Sequence, residues 1–320
     1  MKNQIEQTKI KKGLGVRIGE ELKQNYILYI MSIPVIVYFA LFCYLPMFGL
    51  VIAFKDNYKP IKGILGTAWA GMYGFQNFYD FIASPLFFSI LKNTILISFY
   101  SILFGFPAPI IFALMLNEIK SLKYKKVIQT ITYLPHFISL VVICGMITRF
   151  FREDGILTAL IHMLGGAKTD YMLEPTWFRA IFVGSDIWQG VGWGSIIYLS
   201  ALSSIDQELY EAAVIDGAGK WKQIIHITLP GIASTIIILF IMRMGTVLSV
   251  GYEKVILLQT DYTKNVARVI SSYVYEKSFG GGSAKYSLSS AVGIFQSVVN
   301  ILFLSIANTI SKKFSESSLF

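Results

Sequence analysis

The sequence predicts an all-α polytopic membrane protein with six membrane-crossing helices, and three observations carry that prediction. Hydrophobic residues make up 54% of the 320-residue chain and charged residues 15%, against roughly 25% charged in a soluble protein. Apolar runs recur six times, each longer than the about 20 residues that a bilayer requires. The Lys and Arg residues flank those runs instead of gathering in one patch. A net charge of +9 therefore reads as a device for orienting the chain in a bilayer, and nucleic-acid binding is excluded as its explanation.

The elements follow in order. Residues 1–25 are polar, with Lys2, Lys9, Lys11, Lys12, Arg17 and Lys23. The first span covers about 26–54; it is too long for a signal-peptide core and lacks a small-residue cleavage site, so it reads as uncleaved. Pro34 and Pro46 predict kinks within it. A loop rich in Gly, Tyr and Lys leads to the second span at about 86–116, broken in its later half by Gly105, Pro107 and Pro109. Lys120, Lys123, Lys125 and Lys126 precede the third span at about 127–150, which contains Pro135-His136. An amphipathic piece, Gly155 to Leu164, is closed by Gly165-Gly166. The fourth, fifth and sixth spans lie at about 179–202, 231–252 and 286–310, with a flexible Gly280-Gly281-Gly282-Ser283 stretch before the last. Lys312-Lys313 begins a tail over 311–320, and with no internal repeat the six spans form one domain, 26–310.

Six spans place both termini on the same side as the loops at 117–126 and 203–230. Those segments hold about 14 Lys and Arg, the opposite loops about 10 to 12 over greater length, so the bias puts both termini and the 203–230 loop in the cytoplasm. Cys43 and Cys144 sit inside apolar runs and read as small buried thiols, with no disulfide or metal spacing.

The polar loop carries the densest pattern. Ser204 and Gln207 have capping-box spacing, with Asp206 and Glu208 in the first turn, where the helix dipole favours acids. Ile205, Leu209, Ala212 and Ala213 form an apolar stripe at i, i+4, i+7 and i+8. Asp216-Gly217-Ala218-Gly219 predicts the helix exit, because Gly accepts the left-handed conformation such exits need. A second short helix then runs from Lys220 to Thr228, and Pro230 suits the start of the next one.

These residues also carry a resemblance. Glu211-Ala212-Ala213, then Gly217, then Ile227-Thr228-Leu229-Pro230 reproduce the E-A-A, three residues, Gly, nine residues, I-x-L-P spacing of permease subunits in binding-protein-dependent ABC importers. With its DGAGKW continuation the loop is most similar to the maltose-type sugar permeases, and among them to the LplB-like oligosaccharide branch. The resemblance implies a type I ABC importer permease fold in a bacterial plasma membrane. It implies that the loop forms coupling helices seated on an ATPase, with Glu211, Ala212, Ala213, Asp216, Gly217, Leu229 and Pro230 in that role. It further implies a second homologous permease chain, two cytosolic ATPase subunits that hold ATP and Mg, and an extracellular solute-binding lipoprotein. This chain would then hold no cofactor of its own and perform no enzymatic step.

The remaining chemistry agrees. A phosphate-binding loop needs G-x-x-x-x-G-K-[ST], and the nearest fragment, Gly165 to Thr169, lacks the adjacent Gly-Lys. Gly190-Val191-Gly192-Trp193-Gly194 falls inside the fourth span, where close helix packing is its expected role. His136, His162 and His226 belong to three separate segments, and no H-E-x-x-H or G-x-S-x-G occurs. Arg243 lies about 12 residues, or roughly 18 Å, into the fifth span, a depth at which an Arg faces a cavity or a partner. Asp186 reaches a similar depth, so two readings stand: an Asp186–Arg243 pair, or Arg243 meeting an acidic or hydroxyl-rich substrate. Trp188, Gln189 and Trp193, together with Gln296 and Asn300 at i, i+4, complete a set of aromatics and amides suited to sugar. A permease for a non-sugar solute and an ion-coupled secondary transporter are the alternatives.

Overall fold

The computed structural model describes residues 23–280 and 284–314. The expected amino-terminal tail up to residue 22, the Gly281-Gly282-Ser283 stretch and residues 315–320 lie outside the described residues. The chain divides into two compact units, Met1–Ile52 and Ala53–Phe320. Among the described residues there is no β-strand, only a single bridge between Lys55 and Trp69.

Helix α1 (Tyr26–Phe39) continues through a π-helical turn, Ala40–Tyr44, and ends in 3-10 geometry at Phe48–Phe54. From Ala53 onward the helices are α2 (Gln76–Ile82), α3 (Phe87–Tyr100), α4 (Pro107–Asn117), α5 (Leu122–Tyr133), α6 (Leu140–Phe151), α7 (Ile156–Met163) and α8 (Pro175–Ser203). They are followed by α9 (Gln207–Ile215), α10 (Lys220–Gln223), α11 (Ala233–Met244), α12 (Tyr252–Leu258), α13 (Lys264–Ala267), α14 (Ile270–Phe279) and α15 (Tyr286–Phe314).

Three of the described helices, Tyr26–Phe54, Phe87–Asn117 and Tyr286–Lys313, are long and apolar enough to cross a membrane, or up to five if each of two bent pairs is one span. The expected third span is one bent pair: Leu122–Phe137 meets Leu140–Met163 at 102°. Pro135 tightens the end of the first half into a 3-10 turn, and Ser139 Oγ accepts from Val142 N–H to start α6 afresh. The expected fourth span forms the 29-residue α8, which has the length but is not apolar enough to stand with the others. The expected fifth span is shorter than its apolar run. Its helix α11 stops at Met244, and Gly245–Gly251 is unwound.

Three of the prolines are accommodated by a shared device. Three π-helical turns, Ala40–Tyr44, Ser101–Gly105 and Ile224–Thr228, each end two residues before a proline: Pro46, Pro107 and Pro230. A proline ring collides with the carbonyl four residues back. That residue is Phe42, Leu103 or His226, the middle of each wide turn, where the extra residue opens room. Pro230 therefore does not begin a new span. It sits in a helix continuous with α10, and the 60° bend to α11 falls after it, at Ile232.

Three buried clusters organise the second unit. Ile143, Cys144 and Ile147 of α6 pack with Phe178, Ile181 and Phe182 of α8 and with Val255 and Leu258 of α12. Phe81, Phe87, Ile90, Tyr273 and Val292 gather α2, α3, α14 and α15, with T-shaped rings at Phe81–Phe87 and Phe81–Phe295. Ala113, Tyr198, Leu202, Ile205 and Ile232 join α4 and α8 to the root of the loop. Cys144 is buried as expected, whereas Cys43 is exposed.

Candidate functional site

The loop between α8 and α11 is shaped by local signals. Its helix α9 is capped by Asp206, whose Oδ1 accepts from Glu208 N–H at 3.0 Å. The expected cap, Ser204, still belongs to the end of α8, and its hydroxyl donates to Ala201 O at 2.7 Å. The exit is as the sequence reads: Gly217 has φ +73°, Ala218 N–H reaches Ala213 O at 2.8 Å and Gly217 N–H reaches Val214 O at 3.0 Å. That pair of bonds is a Schellman closure. Tyr210 Oη meets Thr228 Oγ1 at 3.0 Å and Gln223 Nε2 donates to Ala218 O at 2.9 Å, so the two arms are tied across the turn. Ile205 is buried against Gly231, where a Cβ would lie 2.7 Å from its Cδ1.

Beyond that root the loop is bare. Glu211, Ala212, Asp216 and Gly217 are exposed, Ala213 and Leu229 half-buried. The expected apolar stripe packs at Ile205 and in part at Ala213, but Leu209 and Ala212 are exposed and Tyr210 takes the inward place instead. Val214, Ile215 and Trp221 add an apolar tip that is 63%, 86% and 78% exposed. Sequence reading passed over these three, although large apolar side chains in a polar loop are themselves a signal of contact. His226 lies on this surface, its Nδ1 3.0 Å from Lys222 O.

The second feature is a cavity of about 580 Å³ between the Ser101–Gly105 turn, α8 and α11. Arg243 and Asp186 both line it, together with Ser101, Thr246, Gly190 and Tyr198. They do not pair with each other. Asp186 Oδ1 takes Lys254 Nζ at 2.5 Å, and Lys254, 5% exposed, also donates to Phe182 O at 3.1 Å. Among the described residues the Arg243 side chain bonds Ser101 Oγ, at 3.3 Å.

The glycines of α8 divide by role. A Cβ on Gly192 would lie 2.3 Å from Thr132 O, so α8 and α5 touch there at backbone distance. Gly194 faces Pro109, but Gly190 has nothing within 4 Å of a Cβ and opens onto the cavity. Trp188 and Gln189 do not line it. Trp193 stacks face to face on His136 at 4.7 Å and edge-on to Phe137, closing the α5 turn.

Gln296 and Asn300 have work elsewhere. Asn300 Oδ1 accepts from Leu248 N–H at 2.9 Å and its Nδ2 donates to Ser249 Oγ at 2.9 Å. Gln296 Nε2 donates to Leu248 O at 3.1 Å. Ser98 donates to Val247 O and Ser271 to Val250 O, so the unwound Gly245–Gly251 is held from α3, α14 and α15. Backbone polar groups within an apolar slab need such partners, and irregular backbone there is found where it lines a cavity. Among the described residues no three His, Cys, Asp or Glu side chains converge as metal ligands.

Apolar helices broken around a largely apolar cavity that holds a few polar and charged groups, with a bare helical loop at one end, are the build of a membrane transport subunit. The chain belongs to the family of binding-protein-dependent transport system inner membrane components, which it matches over residues 105–316. It is 43% identical over 309 residues to Protein LplB of Bacillus subtilis (strain 168), spanning 96% of this chain and 95% of that one. It is 40% identical to the polygalacturonan/rhamnogalacturonan transport system permease protein YteP of the same organism, over 97% and 95% of the two chains. Among solved structures it is similar to a chain of a bacterial ABC transporter involved in import of the acidic polysaccharide alginate, with TM-score 0.83, 40% identity and 93% and 99% coverage. A bacterial alginate ABC transporter in complex with an alginate pentasaccharide-bound periplasmic protein gives TM-score 0.85 at 39% identity, over 95% and 100%.

Proposed function

We propose that this chain is a transmembrane permease subunit of an ATP-driven carbohydrate importer, moving oligosaccharide handed over by an extracellular binding protein. The observation that carries the reading is near full-length likeness to chains of alginate and polygalacturonan/rhamnogalacturonan transport systems, joined to a cavity in the span region of this chain. Six spans are counted from the three long apolar helices, the bent pair Leu122–Phe137 with Leu140–Met163, the 29-residue α8, and α11 together with the unwound Gly245–Gly251 that follows it. Both termini and the 206–231 loop then face the cytoplasm, in keeping with the distribution of Lys and Arg. A second permease chain, two ATPases that bind ATP and Mg, and a solute-binding lipoprotein complete the assembly.

The mechanism is alternating access. The exposed tip of Val214, Ile215 and Trp221, with Glu211 beside it, supplies the apolar contact and charge that an ATPase groove would take. Ala213 and Gly217 keep the turn slim and correctly folded. Closure of the ATPases pulls on the loop through Ile205 and Tyr210, the spans rock, and the cavity exchanges sides. An ion-coupled transporter would need a free carboxylate in the membrane, and Asp186 is instead neutralised by Lys254.

Uptake of labelled oligosaccharide into vesicles carrying the whole assembly tests this. It is expected to be ATP-dependent and vanadate-sensitive, and to vanish in Ala213→Trp or Gly217→Asp while membrane insertion persists. Accessibility of residue 217 to a reagent confined to the outer face, or uptake without ATPase subunits, overturns the reading.

A further inference from the structure

We infer that the cavity selects an anionic saccharide, a uronate-type sugar, with the Arg243 guanidinium as the group that clamps its carboxylate. This rests on the carbohydrate-import reading and deepens it. The charges on the wall decide the matter. Two titratable side chains of opposite sign line the space, Asp186 and Arg243. The acid is cancelled from behind by the buried Lys254, which reaches it from α12 and is further held by Phe182 O and the Phe182 ring 4.8 Å away. The base is not cancelled. Its bond is to a neutral hydroxyl, Ser101 Oγ, and no ion pair to it exists among the described residues. The wall thus carries one net positive charge.

An Arg at this depth is costly unless something faces it. A guanidinium offers five N–H donors in a planar fork matched to a carboxylate, and Ser101 takes one of them. The surroundings suit a sugar ring. Thr246 and Ser101 offer hydroxyls, while Phe106 and Tyr198 offer aromatic surface to the C–H faces. Gly190 adds no side chain to the α8 wall and has nothing within 4 Å of where a Cβ would lie, and about 580 Å³ lies within the range of small-molecule sites. A neutral sugar would leave the guanidinium uncompensated; a uronate neutralises it.

The test uses the permease–ATPase assembly in nanodiscs without its binding protein, titrated calorimetrically with tri-galacturonate and with its methyl ester. Wild type is expected to bind the acid at least about tenfold more tightly. Arg243→Gln is expected to bring that ratio to near one, and Arg243→Lys to keep most of the preference, diminishing with salt. Equal binding of acid and ester by wild type, or an unchanged ratio in Arg243→Gln, overturns the inference and leaves sugar import standing. Binding of neither trisaccharide, together with failure of oligosaccharide uptake in vesicles, overturns both. If Arg243→Gln and Arg243→Lys both release the second permease chain, Arg243 belongs to a contact between chains and the inference falls.

Discussion

The loop at Asp206–Gly231 and the unwound segment at Gly245–Gly251 are both interruptions of helix, and they are held in opposite ways. In the loop, cap, turn and hydrogen-bonded cross-ties join residues at most 18 apart, as Tyr210 to Thr228, with the exposed Lys220–Glu118 ion pair as the long-range exception. In the unwound segment the partners come from far away: Ser98 is 149 residues from Val247, and Asn300 is 52 from Leu248. One interruption is written locally and faces out; the other is an agreement among α3, α14 and α15. A locally determined element can be bare and still keep its shape, which is what a surface meant to be gripped requires. A distantly determined one keeps its shape only while the bundle is packed, and so its integrity reports on the packing.

That contrast is tested by substitutions ordered by expected effect. Gly192→Leu drives a side chain into Thr132 O, and a loss above the about 3 kcal/mol of ordinary overpacking is expected, visible as failure to yield a monodisperse peak. Its neighbour Gly190→Leu meets nothing and is expected to keep the melting temperature within a few degrees while obstructing transport. Asn300→Leu orphans Leu248 N–H, at a cost of about 1–3 kcal/mol read in thermal unfolding. Gly217→Val places a β-branched residue at φ +73°, costing about 1–2 kcal/mol locally and transport almost entirely. Asp206→Ala loses the α9 cap, about 1 kcal/mol, with little change in the melting temperature of the whole chain. Lys220→Ala breaks an exposed pair with Glu118 and should cost at most about 1 kcal/mol. Should Asp206→Ala lower the melting temperature more than Asn300→Leu, the contrast is refuted.

The same distinction explains what was legible in the sequence. Gly217 and the closing Gly165-Gly166 are short-range events and are readable in the sequence. The kinks expected at Pro34 and Pro46 are not, since Tyr26–Phe54 runs on as one long helix with Pro34 inside it and a π-helical turn ahead of Pro46 that nothing in the residues announces. The cap was misplaced by two residues because Ser204 and Asp206 are both good caps, and only the length of α8 chooses between them. Of the two readings of Arg243, the pair with Asp186 is not formed: both side chains reach the cavity, but Lys254, placed by sequence in an outer loop, takes the acid. Trp188 and Gln189 share α8 with Asp186 yet leave the cavity wall, because each step along a helix turns a side chain by about 100°. Depth can be counted along a run, whereas direction depends on what the neighbouring helices leave vacant.

The wide turns ahead of Pro46, Pro107 and Pro230 have a mechanical corollary. A rod with a missing internal bond and one residue of slack flexes there more readily than along its regular stretches. One such joint, Ser101–Gly105, forms part of the chamber wall, and another, Ile224–Thr228, sits where the exposed hairpin leads into α11. Under the coupling proposed above, a tug at Trp221 would resolve into rotation about two fixed pivots, and stiffening either one, by replacing Pro107 or Pro230 with Ala, should slow the cycle without loosening the grip.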